Sequence, residues 1–282
     1  MNLSSVGYIP DNKLVTTLEL MAKLKRPLLL EGDAGVGKTA AAIALAKLYD
    51  CKLIRLQCYE GLDIQSSIYE WNYSKQILWI NLQKENSNEL ELKKIFSKEF
   101  LLERPLLQAI QETDSPVLLI DEIDRADEAF EAYLLELLSE FQITIPELGT
   151  VVAKSIPRVI LTSNGTRELS DALRRRCLYH YLDYPEPERE FSIIQQAIPD
   201  VNQRLLQQVV NFIHALRKQD LHKPPGIAET IDWSSALTGL NINDLLNDKE
   251  QVSDTLGCLL KTRDDQQKIN SAELQKLINI AV

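Results

Sequence analysis

Cysteine is scarce in this chain: Cys51, Cys58, Cys177 and Cys258 are the whole complement of 282 residues, and no two share a CxxC spacing. That excludes a disulfide framework and a thiolate metal site as organising features, so the four read as reduced, mostly buried thiols. Basic charge is also short, 31 Lys and Arg against 41 Asp and Glu, for a net charge of −10. The general basic footprint of a nucleic-acid binder is missing, although a local basic groove stays open. No run approaches the ~18 apolar residues of a membrane span, and the first residues lack the basic flank and apolar segment of a secretory signal. A cytoplasmic protein with no membrane partner is the expectation. The three histidines, His180, His214 and His222, are scattered and read as surface or packing residues. The hydrophobic content of 45% over this length suits one large core and one smaller one, hence two domains.

Glycine is sparse too, ten residues, yet three of them fall within Gly32 to Thr39, which fits GxxxxGK[ST]. Apolar Leu28 to Leu30 precede the motif as a short buried strand, and an Ala-rich helix follows from about Lys38 to Leu48. Three glycines let a backbone wrap an anion, and the helix start turns its N–H groups toward it. On this reading Gly32, Asp33, Ala34, Gly35, Val36, Gly37, Lys38, Thr39 and Ala40 bind the nucleotide. Lys38 reaches the β/γ-phosphates of ATP and Thr39 gives its hydroxyl to Mg²⁺. The competing reading is a chance glycine-rich turn.

A second apolar strand, Val117 to Ile120, delivers Asp121-Glu122-Ile123-Asp124 at its C-terminal end, where ligands of open parallel sheets sit. Asp121 is expected to bind nucleotide and steady Mg²⁺, and Glu122 to polarise the attacking water. A third strand, Arg158 to Thr162, carries Ser163-Asn164-Gly165 to the same rim. Asn164 is either an ordinary turn residue or a sensor that hydrogen-bonds the attacking water or the γ-phosphate. Ser170 to Cys177 is a capped helical turn ending in three arginines, read either as a solvated face or as a source of positive charge for a neighbouring subunit's γ-phosphate through Arg175 or Arg176.

Around these motifs, Lys13 to Leu24 is an amphipathic helix expected beside the nucleotide base, and Lys52 to Gln57 alternates as a strand. Tyr59 to Gln111 exceeds what a minimal nucleotide-binding core needs. Within it, Leu78 to Leu82 is a candidate hairpin strand, Gln83 to Glu91 an exposed insertion or disordered loop, and the stretch toward Gln111 helical. Ala129 to Phe141 has helical spacing, and Ile143, Ile145, Val151 and Val152 around Gly149 suggest a hairpin. Tyr179 to Tyr184 reads as the last strand, and Pro185-Glu186-Pro187-Glu188 as a domain boundary. Helices are expected at Phe191–Ala197, Asn202–Arg217, Trp233–Leu240, Asp248–Thr262 and Ser271–Ile280.

With the loop, the acidic strand, the Asn-bearing strand and the arginine run in this order, the chain resembles an AAA+ ATPase of the MoxR type. The strings Arg55 to Asp63, Tyr69 to Tyr73, Ser170 to Cys177 and Pro224 to Trp233 are similar to those of its CoxD-like branch. The resemblance implies an α/β fold: a P-loop core of five parallel strands between helices at 1–184, with insertions before the third helix and the Asn-bearing strand, then a small all-α lid at 185–282. It also implies a ring, most simply a hexamer, acting as a chaperone-like remodeller with a von Willebrand factor A (VWA) domain partner. The implied client is a protein such as a molybdenum–copper carbon monoxide dehydrogenase in maturation. By position Arg176 matches the family's finger arginine, with Arg175 beside it able to share or take the role. Where relatives carry a lid sensor arginine, this chain has Ala228-Glu229-Thr230. A nucleic-acid motor or loader and a nucleotide-gated scaffold are the alternatives.

Overall fold

A computed structural model describes residues 1–85 and 95–282, which fall into two compact units. The first unit holds residues 1–2, 11–31 and 39–181; the second holds 3–10, 32–38 and 182–282. Among the described residues, no helix is long and apolar enough to cross a membrane.

The first unit is built on five parallel strands: β1 (Leu28–Glu31), β2 (Leu53–Gln57), β5 (Val117–Asp121), β8 (Arg158–Ser163) and β9 (Leu178–Tyr181). They lie in the order β2-β5-β8-β1-β9. The expected five-stranded parallel sheet of the P-loop core is therefore present. Every residue of β5 is buried, as a central strand covered on both faces requires. Helix α1 (Asn12–Leu24) starts where the Asp11 carboxylate accepts from Leu14 N, and it buries Leu14, Leu18 and Met21. Those side chains cover strands β1 and β9. Residues 3–10, not this helix, belong to the same unit as the glycine-rich loop.

Two antiparallel pairs decorate this unit. Strand β6 (Gln142–Ile145) pairs with β7 (Gly149–Val152) in the expected hairpin, with Ile143 and Ile145 buried. The other pair joins β3 (Tyr69–Trp71) to β4 (Leu101–Glu103). The strand expected at Leu78 to Leu82 is instead part of a helix, Tyr73–Glu85. The Asn72 side chain caps its start by accepting from Lys75 N at 3.0 Å. Leu78 is 61% exposed and Ile77 59%, whereas Gln76 is buried and donates to Ile95 O at 2.7 Å. The inward face is thus Gln76 and Trp79, three residues apart, a helical period and not an alternating one. The polar segment expected at Gln83 to Glu91 lies outside the described residues from 86 onward.

The second unit is helical apart from its turns. Its longest helices run Pro187–Ala197, Gln203–Arg217, Ile227–Gly239 and Ser271–Ala281. They bury one apolar cluster that includes Phe212 and Trp233, whose rings lie 4.9 Å apart. The single helix expected over Asp248 to Thr262 is shorter, Lys249–Thr255, and tightens into a 3₁₀ turn at Leu256–Cys258.

Candidate functional site

In the second unit, the glycine-rich loop is held in a shape that side chains would not allow. Gly35 and Gly37 have φ of +80° and +98°, the left-handed region where a Cβ is strained. A Cβ on Gly32 would lie 2.2 Å from Leu182 O, and one on Gly35 would lie 3.0 Å from Gly226 Cα. The glycines are thus required by close backbone approach as well as by the turn. Lys38, at the start of helix α2 (Lys38–Leu48), is 7% exposed. Its ammonium donates to Gly32 O and Asp33 O, both at 2.7 Å. Val36 is buried and anchors the loop, while Asp33, Ala34 and Gly35 stay exposed. Ala40, further along α2, is exposed as well.

The same loop is fastened within its unit. Ile227 N donates to Gly35 O at 3.0 Å, and Glu229 accepts from Gly226 N at 3.0 Å. Glu229 is therefore engaged with its own helix start. Behind it, buried Glu190 is bound bidentately by Arg217 at 2.7 Å for each bond. Arg217 also donates to Pro225 O and lies over the Tyr184 ring. The Tyr184 hydroxyl is pushed up to about 12 by burial first, then by the charge of Asp33. A cleft of about 320 Å³ lined by Asp33, Ala34, Tyr184, Lys223, Gly226 and Glu229, among others, opens at the loop.

In the first unit, the C-terminal ends of β5 and β8 are stitched together. Asp121 closes β5 and is 3% exposed. One of its oxygens accepts from Thr162 Oγ1 at 2.5 Å, and the other from Arg55 at 2.5 Å. The Thr39 hydroxyl lies 3.2 and 3.3 Å from the two oxygens. A hydroxyl and a carboxylate this close are the hard oxygen donors that Mg²⁺ takes, so the donor set fits that ion. Glu122 follows with φ of +56°, a left-handed conformation costing a non-glycine residue on the order of 1–3 kcal/mol. Its backbone N–H donates to Thr162 Oγ1 at 2.9 Å, which fixes the turn. The Glu122 carboxylate, 31% exposed, pairs with Arg125 at 2.8 Å. Asn164 leaves β8 at the same rim, and its backbone N–H donates to Asp124 at 3.2 Å.

Thr39, Asp121, Glu122 and Asn164 are thus brought together at one rim. The arginines are not. The helix Asp171–Arg176 ends just before β9 begins at Leu178, which pairs with Leu28, the first residue of β1. Arg26 donates to the carbonyls of Arg175 and Arg176 at that opposite rim. By the ladder registers, Arg176 and Glu122 are separated by roughly 15 Å along the strands and ~14 Å across them. The Arg176 side chain donates to Ser139 Oγ. Arg175 is exposed and, among the described residues, its side chain makes no hydrogen bond or ion pair.

Sequence reading gave no role to Arg55, Thr162, Asp124, Arg125 or Thr166. Only Asp124 and Arg125 carried a signal, their closeness to Glu122; Arg55 and Thr162 are found only through strand register, which no local pattern reveals. Cys58 sits beside the acidic group, and burial first, then Asp121, Asp124 and Glu122, push its thiol up to about 12.

A family model described as an AAA domain of the dynein-related subfamily matches residues 27–177. An uncharacterized protein of Staphylococcus aureus (strain bovine RF122) is 26% identical over 214 residues, 73% of this chain and 74% of its own. The gas vesicle ATPase GvpN of Haloferax mediterranei is 27% identical over 203 residues, 69% of this chain and 57% of its own. A solved structure from Cytophaga hutchinsonii, described as a candidate ATPase, covers 99% of this chain and 92% of its own at TM-score 0.51 and 16% identity, a likeness of fold alone.

Proposed function

The chain belongs to the dynein-related subfamily of AAA domains and is an ATPase, and from that premise we propose that it hydrolyses ATP with Mg²⁺ as a MoxR-type ring of the CoxD-like branch. The observation that carries the hydrolytic reading is the rim where Thr39, Asp121 and Glu122 meet, with Asn164 beside them. Lys38 and the loop from Gly32 to Val36 and Gly37 bind the phosphates. Thr39 and Asp121 hold Mg²⁺, which supplies positive charge to the phosphate oxygens when bound. Glu122 takes up the proton of the attacking water, and Asn164 orients that water. Arg125 must release Glu122 for this, an exchange that its exposed position allows.

Arg175 or Arg176 then serves a neighbouring copy, because the registers place both at the rim away from their own Glu122. In this reading 1–184 is the core that turns over nucleotide and 185–282 is the lid. The work is the remodelling of a protein client, with a VWA-domain partner, in the maturation of a molybdenum metalloenzyme. The β6–β7 hairpin and the helix at Tyr73–Glu85 are additions to the nucleotide core that this reading assigns to partner contact. A nucleic-acid motor and a nucleotide-gated scaffold remain the rivals, separated by DNA-stimulated turnover and by phosphate release.

The direct test is a pair of variants. Lys38→Ala should lose ATP binding, because phosphate charge then lacks its partner. Glu122→Gln should bind ATP and turn over slower by about 10²- to 10⁴-fold. Parental turnover by Glu122→Gln would remove it as the base. The ATP-trapped Glu122→Gln protein is also the bait with which a VWA-domain partner and client should be retained.

A further inference from the structure

Among the carboxylates at the rim, Asp124 is held by three donors and has no role in the reaction proposed above. It follows Glu122 by two residues, in the 3₁₀ turn Ile123–Arg125, and is 3% exposed. Burial of an ionised carboxylate is costly unless donors replace water. Here three donors converge on one oxygen: Asn164 N at 3.2 Å, Thr166 N at 3.0 Å and Thr166 Oγ1 at 2.6 Å. The other oxygen, Oδ1, is buried and makes no hydrogen bond. No basic side chain among the described residues pairs with it: Arg125 is turned to Glu122, and Arg167 to Glu131 and Ala126 O. All the bonding of Asp124 is thus directed to the backbone and hydroxyl of one segment, the loop that carries Asn164.

This geometry has a consequence for the reaction. Asn164 follows the end of β8, and Glu122 follows the end of β5. Above the last paired residues, Ile120 and Leu161, the two chains separate into turns of different shape. Thr162 ties the turn of Glu122 to β8, while Asn164 lies beyond the end of the β5–β8 ladder. Asp124 bridges the two turns, since it is two residues from Glu122 and accepts directly from Asn164 and Thr166. We propose that Asp124 is the positioning residue for Asn164: it sets the Asn164 backbone against the turn of Glu122, so that both side chains address one water molecule. The inference rests on the roles given above to Glu122 and Asn164. Asparagine at 124 would keep the accepting oxygen and place its amide where Oδ1 now makes no bond; alanine would keep nothing.

The test compares Asp124→Ala, Asp124→Asn, Asn164→Ala and the double Asp124→Ala/Asn164→Ala variant in the full chain, by ATP turnover and by ATP binding without turnover. Asp124→Ala should lower kcat about tenfold or more and leave ATP binding within about twofold, since the phosphate loop is untouched. Asp124→Asn should recover most of that loss. The double variant should be no slower than Asn164→Ala, because a positioner has nothing left to position. A double variant slower by the full Asp124→Ala factor, or an Asp124→Ala variant that loses binding and turnover together, overturns the positioning role while leaving the Asn164 assignment standing. Parental turnover by Asn164→Ala overturns that assignment itself, and the positioning role with it.

Discussion

At the scale of the residue, the most consequential contact is one that competes with the reaction. Arg55 donates to the same Asp121 carboxylate that is proposed to hold Mg²⁺, at 2.5 Å, and Asp121 is buried while Arg55 is half-exposed. A cation that is already paired with a carboxylate must be displaced or shared when a second cation arrives. Arg55→Ala should therefore lower the Mg²⁺ concentration needed for half-maximal binding of a fluorescent ATP analogue; a higher requirement would show that Arg55 supports the metal and does not compete with it. The cysteines offer a second residue-scale expectation. Cys58 and Cys177 are buried, and burial pushes both thiols up to about 12, with the acidic neighbours adding to it at Cys58 and Arg26 partly opposing it at Cys177. The thiolate is the reactive form, so iodoacetamide at pH 8 should spare both in the folded protein and label Cys51 and Cys258 first, as read by peptide mass mapping. The sign of the linked stability follows from the same shift. The folded state holds its thiol protons to higher pH than the unfolded chain, so this contribution is full below about pH 9 and is lost as pH rises toward about 12. Equal labelling of all four thiols at pH 8 would contradict the burial.

Among the elements, the helix at Tyr73–Glu85 separates what a sequence pattern can say from what it cannot. Leu78-Trp79-Ile80-Asn81-Leu82 alternates over too few residues to distinguish period two from a helical face, and the apolar surplus invites a strand. The deciding features are the Asn72 cap and buried Gln76, a polar side chain that faces inward only because Ile95 O accepts from it. Leu78→Ser removes an exposed side chain and should change stability by no more than about 0.5 kcal/mol. Phe100→Ala, which empties a fully buried site against Trp79, should cost about 3–5 kcal/mol in denaturant titration. A large loss at Leu78 would restore the strand. The glycine-rich loop, β5 with its acidic end, β8 and the β6–β7 hairpin were legible because each couples an apolar run to a residue type that local geometry demands. The β3–β4 pair was not, since Tyr69–Trp71 and Leu101–Glu103 are three residues each and meet across thirty residues of chain. The stitching of Asp121 by Arg55 and Thr162 was hidden for the same reason: both lie on neighbouring strands and are placed by register alone.

At the scale of the whole molecule, the sheet keeps Arg175 and Arg176 away from their own Glu122, so the proposed arginine role falls to a neighbouring copy. A parallel sheet sends every strand the same way, so a residue before β9 and a residue after β5 are necessarily at opposite rims. Flexing one side chain does not close that separation, and Arg176 is further tethered to Ser139. Closed assemblies of like subunits bring one subunit's starting rim to its neighbour's finishing rim through a repeated, non-self-complementary contact, which closes into a ring when the rotation allows. Specific ATPase activity should therefore climb with protein concentration and level off once assembly is complete. Mixing Lys38→Ala with the Arg175→Ala/Arg176→Ala double variant should restore part of the turnover that neither shows alone, because some interfaces then join an intact phosphate loop to an intact arginine pair. Comparing the two single arginine variants in the same mixture identifies the active one. Arg175, whose side chain makes no bond among the described residues, is expected to be the more sensitive, while Arg176 must first leave Ser139. Activity that is independent of concentration in a chain sedimenting as a monomer would sink the shared site, and an arginine double variant at the parental rate would do the same without reference to assembly.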